Sequence, residues 1–232
     1  MLPHSSVLKI LEPAYAPCDS FRGVCRKMRW EPGAGHAPRG YAGAVGDPSD
    51  VKLVLVTAEP GDPYEHESYK SRSPAEMAAQ VSEFQYEIYK TSKDLFHKNL
   101  RGLIDLFWPG LDFDEQMRHT WITDSVLCSA SREGASVPNC VVHTCRSNYL
   151  DKQLKLFQNA MIVALGGKAR RRLGTISKDG FQLLKGWPKV VHAYSVAPPG
   201  CNFRKAKQTW DNASEEFRAF LANTAAGAPD RS

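Results

Sequence analysis

No stretch of the 232 residues stays apolar for the roughly 20 positions that a membrane-crossing helix needs. The opening residues, MLPHSSVLKILEP, lack the basic start and long apolar stretch of a secretory signal. No internal repeat is evident, which removes solenoids and arrays, and no shift in composition divides the chain in two. These absences lead us to expect a soluble, cytoplasmic, monomeric protein with one folded domain. There are six cysteines, and in a reducing compartment they are free, buried or metal-bound rather than paired as disulfides. With 42% hydrophobic residues the chain can bury one substantial core. Thirty Lys and Arg against 25 Asp and Glu give a net charge of +5, which suits a polyanionic partner without requiring one.

The most informative segment is 50–64, DVKLVLVTAEPGDPY: an apolar run that stops at a Pro-Gly corner with a carboxylate, Glu59, just before it. An acid there sits at the carboxyl end of a buried strand, where open α/β sheets place ligands and catalytic groups. Residues 1–49, rich in Pro and Gly, read as a loop-rich leader packed on the domain. Strands are expected at 52–57, 119–127, 160–165 and 189–196. Ser73, Pro74 and Glu76 have the form of a helix start, with a helix or helix pair running to about 108. Further helices are expected at 148–158, after Gly166-Gly167, and at 207–221. Strands alternating with helices predict a three-layer α/β/α sandwich around a mostly parallel four-stranded sheet over 50–222, with a flexible tail at 223–232.

Four segments, in order, resemble the uracil-DNA glycosylase superfamily, most closely its iron–sulfur branch. GAVGDPSDVKLVLVTAEPG at 43–61 is similar to that branch's G-x-G-n-P-x-A-x-L-x-x-V-G-E-A-P-G, and ITDSVLC at 122–128 to its I-T-N-V-V-K-C. CRSNYLDKQLKLFQNAMIVALGGKARRRL at 145–173 resembles the C-R-P-x-L-x-x-Q-L helix with the strand and helix after it. APPGCN at 197–202 stands where the family has H-P-S-P-x-N. The resemblance implies a DNA repair enzyme that hydrolyses the N-glycosidic bond of uracil, acting on DNA that carries uracil or abasic sites.

The departures bear on the chemistry. Ala58 stands where the branch has Glu, so the acid moves one place to Glu59; Asp62, in Gly61-Asp62-Pro63-Tyr64, is the competing acid and Glu59 is preferred on register. Asp124 replaces the uracil-reading Asn and Ala197 replaces the His. An ionised carboxylate only accepts hydrogen bonds and would repel uracil O4, so Asp124 must be protonated, act through water, or face a different base. Breaking the glycosidic bond develops positive charge on the sugar and negative charge on the base, which calls for a carboxylate near the one and donors near the other. Backbone N–H groups near Pro60, Gly61 and Asp62 and in the loop from Gly200 to Asn202 are candidate donors to the base, Asn202 is the loop residue that still matches the motif or simply a turn former, and Tyr64, with Tyr69 behind it, is the candidate stacking ring. His192, on the strand before the loop, reads as a packed or exposed residue rather than an acid.

A base inside a duplex must be flipped out. Gly200, Phe203, Arg204 and Lys205 give the loop a flexible point, a wedge and cations, while Lys168, Arg170, Arg171 and Arg172 at a helix start offer phosphate contacts or simply a solvated face. In the related branch four cysteines hold a [4Fe–4S] cluster, and the resemblance assigns Cys18, Cys25, Cys128 and Cys145 to it, with Cys140 a possible ligand and Cys201 in the wedge loop. The C-x6-C spacing of the first pair is wider than usual. The alternatives are a module that binds damaged DNA with little catalysis, a glycosylase for hypoxanthine or xanthine, and a nucleotide hydrolase of similar layers.

Overall fold

A computed structural model describes residues 1–71, 73–132, 134–174 and 189–226. In chain order the main elements are α1 (Ser5–Leu11), β1 (Ala42–Gly43), β2 (Leu53–Thr57), α2 (Pro74–Thr91), α3 (Leu95–Phe107), α4 (Phe113–His119), β3 (Thr120–Asp124), α5 (Asn139–Cys145), α6 (Asp151–Leu156), β4 (Met161–Leu165), α7 (Gly166–Gly174), β5 (Lys189–Ala193) and α8 (Ala206–Ala226). A π-helical turn, Arg146–Leu150, joins α5 to α6. The sheet order is β1-β3-β2-β4-β5. β2 pairs in parallel with β3 and β4, β4 with β5, and β1 runs antiparallel to β3.

The architecture is the expected α/β sandwich with one correction: the sheet has five strands, not four. The extra strand is Ala42–Gly43, pairing with Ile122 and Trp121, and two residues carry no periodicity by which to be seen. The segment before residue 50 also holds a helix, α1, and short 3-10 turns. The last helix continues to Ala226, past the expected end at 221, and residues 227–232 of the anticipated tail lie outside the described residues.

Alternation of side chains along each strand builds two cores. Val54, Val56, Ile162 and Ala164 face one side with α1, α5, α6 and α7, through Leu11, Val141, Leu154 and Leu173. Leu53, Leu55, Met161 and Val163 face the other with α3, α4 and α8, through Leu103, Met117 and Phe217. Every residue of β2, β3 and β4 is buried; β2 and β4 accordingly read as apolar runs, whereas β3, Thr-Trp-Ile-Thr-Asp, buries polar side chains as well. α2 starts as expected: Ser73 accepts from the Glu76 N–H at 3.2 Å with Pro74 at the first position.

The topology has one functional consequence. After β2 the chain passes to β3 on one side, and after β3 it crosses over to β4 on the other. The crevice between the carboxyl ends of β2 and β4 is therefore the switch point, where open α/β sheets bind ligands.

Candidate active site

Glu59, two residues beyond the end of β2, lies in that crevice. Its side chain is 8% exposed and pairs with two cations from α7: the Lys168 ammonium, in direct contact, and the Arg172 guanidinium at 2.6 Å. Arg172 is itself buried and donates to the Ala58 carbonyl at 2.8 Å and to Ser125 Oγ at 3.0 Å. It braces the loops after β2 and β3 and does not form part of a solvated face. Arg170, two residues earlier and so on the opposite side of the helix, is exposed.

Asp124 ends β3 beside Thr57, its register partner at the end of β2. The Thr57 hydroxyl donates to Asp124 Oδ1. Only glycine can cover the other oxygen: at Gly40, with φ +84°, a Cβ would come within 1.9 Å of Asp124 Oδ2. Burial pushes the Asp124 carboxyl up to about 8, and the charge of Glu59 pushes the same way against the Thr57 donation. At neutral pH the group is therefore mostly the protonated acid.

The Pro-Gly corner is held by buried side chains of the N-terminal segment and of the loop after β3. Arg39 donates to the Gly61 carbonyl at 2.5 Å and to the Gly35 carbonyl at 3.0 Å, and Ser129 Oγ donates to Gly61 at 3.2 Å. Arg39 also pairs with Glu67 at 3.5 Å, both side chains being buried. Pro60 is buried and Gly61 exposed. Asp62, the competing acid, is half exposed and points to Arg29 at 3.7 Å rather than into the crevice. Tyr64 packs against Phe84 and His97, and its hydroxyl contacts Asp94 and reaches His97 Nδ1 at 3.3 Å. Tyr69 is buried and donates to Glu67 at 2.6 Å.

The loop after β5 lies against the start of α7. Ser195 is wedged between Gly166 and Gly200, where a Cβ on either would come within 2.8 Å and 2.6 Å of Ser195 Cβ. Ala197 is half-buried and brings no polar side chain, and Asn202 is exposed with its Oδ1 accepting from Cys201 Sγ at 3.5 Å. Phe203 is 53% exposed and touches Tyr194, itself exposed, at 5.4 Å between ring centroids. Arg204 and Lys205 beside it are exposed. His192 is exposed on the edge strand.

A search of protein-family models and a search of curated proteins each return no match to this chain.

Cys18, Cys25, Cys128 and Cys145 come from three separate parts of the chain and line one cavity of ≈ 20 Å³, together with Phe21, Met28 and Leu127. Cys18 and Cys25 share a hydrogen bond that holds the Cys18 thiol down to about 6 against its burial, helped by Tyr149. The same contact drives Cys25 up. Burial pushes Cys145 up to about 12, and it raises Cys128 also. Cys140 is exposed. Among the described residues no three His, Cys, Asp or Glu side chains gather closely enough to hold a single metal ion. No helix among them is long and apolar enough to cross a membrane.

Sequence reasoning singled out Glu59, Asp124 and the cysteines, and it missed Arg39, Gly40, Thr57 and Glu67. A lone Arg in a Gly- and Pro-rich stretch carries no local signal that it will reach the Gly61 carbonyl.

Proposed function

We propose that the chain is a monofunctional DNA glycosylase that hydrolyses the N-glycosidic bond of uracil in DNA and leaves an abasic site. The observation that carries the reading is the pair of carboxyl groups at the carboxyl edge of the sheet: Glu59 between two cations at the switch point, and the buried Asp124 at the end of the neighbouring β3, where burial favours the protonated acid. A neutral carboxyl presents one donor and one acceptor, the same pair that an Asn amide offers to uracil O4 and N3–H. The substitution at 124 thus keeps the reading of the base that an ionised Asp would lose.

In this scheme Glu59 orients a water and faces the cationic sugar. The water oxygen bonds to C1′ as the C1′–N1 bond breaks, the electron pair leaves with the base, and the water proton passes to Glu59. Phe203 enters the gap left by the flipped nucleotide, and Arg204 and Lys205 hold phosphates. Ala197 contributes nothing polar, so donors to the leaving base come from backbone N–H groups around Gly61 and Asp124's own hydroxyl.

We assign the four gathered thiols to a [4Fe–4S] cluster. The donor set fits: soft sulfur ligands in an apolar lining, one of them already favoured as thiolate. The space between the side chains is smaller than a cluster, so loading requires Cys18 and Cys25 to part. When bound, the cluster would supply a cross-link between the N-terminal segment and the loop after β3, with no part in the hydrolysis.

A second reading, a module that binds damaged DNA without cleaving it, is favoured by the engagement of Glu59 with Lys168 and Arg172. Incubation with single- and double-stranded oligonucleotides containing uracil or hypoxanthine, followed by alkali to reveal abasic sites, separates the two. Breaks at uracil support the glycosylase; binding with no release of any base supports the module.

A further inference from the structure

Arg39 stands 22 positions before Gly61 in the chain and is buried against it. Its guanidinium donates at 2.5 Å to the Gly61 carbonyl, which also accepts from the Ser129 hydroxyl at 3.2 Å. The guanidinium is fixed in turn by the Gly35 carbonyl at 3.0 Å and by the buried Glu67 carboxylate at 3.5 Å. Glu67 accepts in addition from the Tyr69 hydroxyl at 2.6 Å and from the Tyr64 N–H at 3.1 Å. A buried ion pair is a weak source of stability, because desolvating both charges offsets their attraction. What this pair does is fix one peptide. A trans peptide sends its C=O and its N–H in opposite directions, and the bond from Gly61 to Asp62 is trans. The Gly61 carbonyl turns to Arg39 and Ser129, which belong to the segment before β1 and the loop after β3. The N–H of Asp62 therefore faces the opposite side, that of β4 and the switch-point crevice. Gly61 and Asp62 are exposed, and this N–H meets no acceptor among the described residues. A cation at the carbonyl end polarises the amide and strengthens its N–H as a donor.

We propose that Arg39, held by Glu67, is a positioning residue that turns the peptide between Gly61 and Asp62 so that the Asp62 N–H donates to O2 of the departing uracil. The assignment rests on the glycosylase reading for the identity of that ligand. In that reading Asp124 takes O4 and N3–H, which leaves O2, the oxygen beside N1, for the peptide. As the C1′–N1 bond breaks, its electron pair moves into the base and negative charge collects on O2, where a fixed donor is worth most. No proton is transferred in this contact; the N–H stays with the protein. Arg39 touches neither the sugar nor the base, so its effect on the reaction passes through the peptide it holds.

Removing Arg39 alone would leave Glu67 buried without its partner, so the test uses the double substitution Arg39→Met with Glu67→Gln, and thermal melts check that it folds. Single-turnover release of uracil and of 5-fluorouracil from single-stranded oligonucleotides is compared between this variant and the unaltered protein. Fluorine stabilises the departing anion by itself, so 5-fluorouracil depends less on a protein donor. The double substitution is expected to slow uracil release by about 10²-fold or more and 5-fluorouracil release by a clearly smaller factor. A residue that only supported the fold would slow both alike. A second measurement reads the donor without catalysis: free uracil is titrated into the isotope-labelled intact protein and the Asp62 amide is followed by NMR. Its N–H resonance is expected to move downfield in the unaltered protein and to stay in place in the double variant. Equal slowing of the two bases, or an Asp62 resonance that uracil leaves unmoved or moves equally in both proteins, overturns the proposal. If the unaltered protein releases neither base, the glycosylase reading fails, and the Asp62 resonance alone then decides this proposal.

Discussion

Asp124 carries two consequences that follow from one proton. Its carboxyl in the folded protein lies near 8, well above the ordinary carboxylate range, because burial disfavours the charge. Between about pH 4 and about pH 8 the native state therefore holds a proton that the unfolded chain has lost, so stability falls as pH rises through that window and levels off above it. At pH 7 the accumulated cost is on the order of 4 kcal/mol. Asp124→Asn keeps an acceptor for the Thr57 hydroxyl and has nothing to ionise, so its denaturant midpoint should exceed that of the unaltered protein at neutral pH and change less between about pH 5 and about pH 8.5. Base release by the unaltered protein should decline above about pH 8 while the Asn variant holds its rate. A parallel decline in both would mean that another group sets the profile.

At the scale of elements, the loop that carries Arg39 and Gly40 acts as a back wall for the site. Gly40→Ala would drive a methyl into the Asp124 carboxyl and force a side chain into a positive-φ conformation, both on the same residue. We expect a loss of about 2–4 kcal/mol in denaturant melts; a loss under about 0.5 kcal/mol would show that the loop yields freely. The cysteine cavity makes a second prediction at this scale. Protein prepared without oxygen should contain about four iron and four sulfide per chain, with visible absorbance that Cys145→Ser reduces or abolishes. Iron-free protein that is unaffected by the substitution would leave the thiols as packing groups.

The strands at 53–57 and 161–165 were legible because each is buried on both faces and so reads as an apolar run, while 120–124, which is partly polar, was marked by its Thr, Trp and Ile. Glu59 was legible for the same reason, since an acid just past an apolar run sits at the sheet's carboxyl edge; Asp124, the last residue of β3, was singled out only through the likeness of 122–128 to I-T-N-V-V-K-C. What sequence could not show is made by contacts across long separations. Lys168 and Glu59 are 109 positions apart, and the Lys-Ala-Arg-Arg-Arg run reads as a phosphate ladder until the fold turns Lys168 and Arg172 inward. α1, α4 and α5, seven residues each, are too short for periodicity to mark them.

For the whole molecule, one edge of the sheet gathers the groups that the proposed hydrolysis uses: the corner after β2, Asp124 at the end of β3, the first turns of α7 after β4 and the loop after β5. Phe203 stands out from that edge with Tyr194 as its one aromatic contact among the described residues, an exposure that suits a wedge better than a core ring. Phe203→Ala should leave stability within about 0.5 kcal/mol, and should slow base release from duplex DNA far more than from single strands, where no stack has to be opened. Equal effects on both substrates would remove Phe203 from the flipping step.

The most direct measurement is single-turnover release of free uracil from a single-stranded oligonucleotide, comparing the unaltered protein with Glu59→Gln. The substitution keeps the shape of the side chain and removes the charge between Lys168 and Arg172. We predict that release falls by about 10²–10⁴-fold while DNA affinity is kept or improved. Release that is unchanged by Glu59→Gln, or absent from the unaltered protein, would contradict the account.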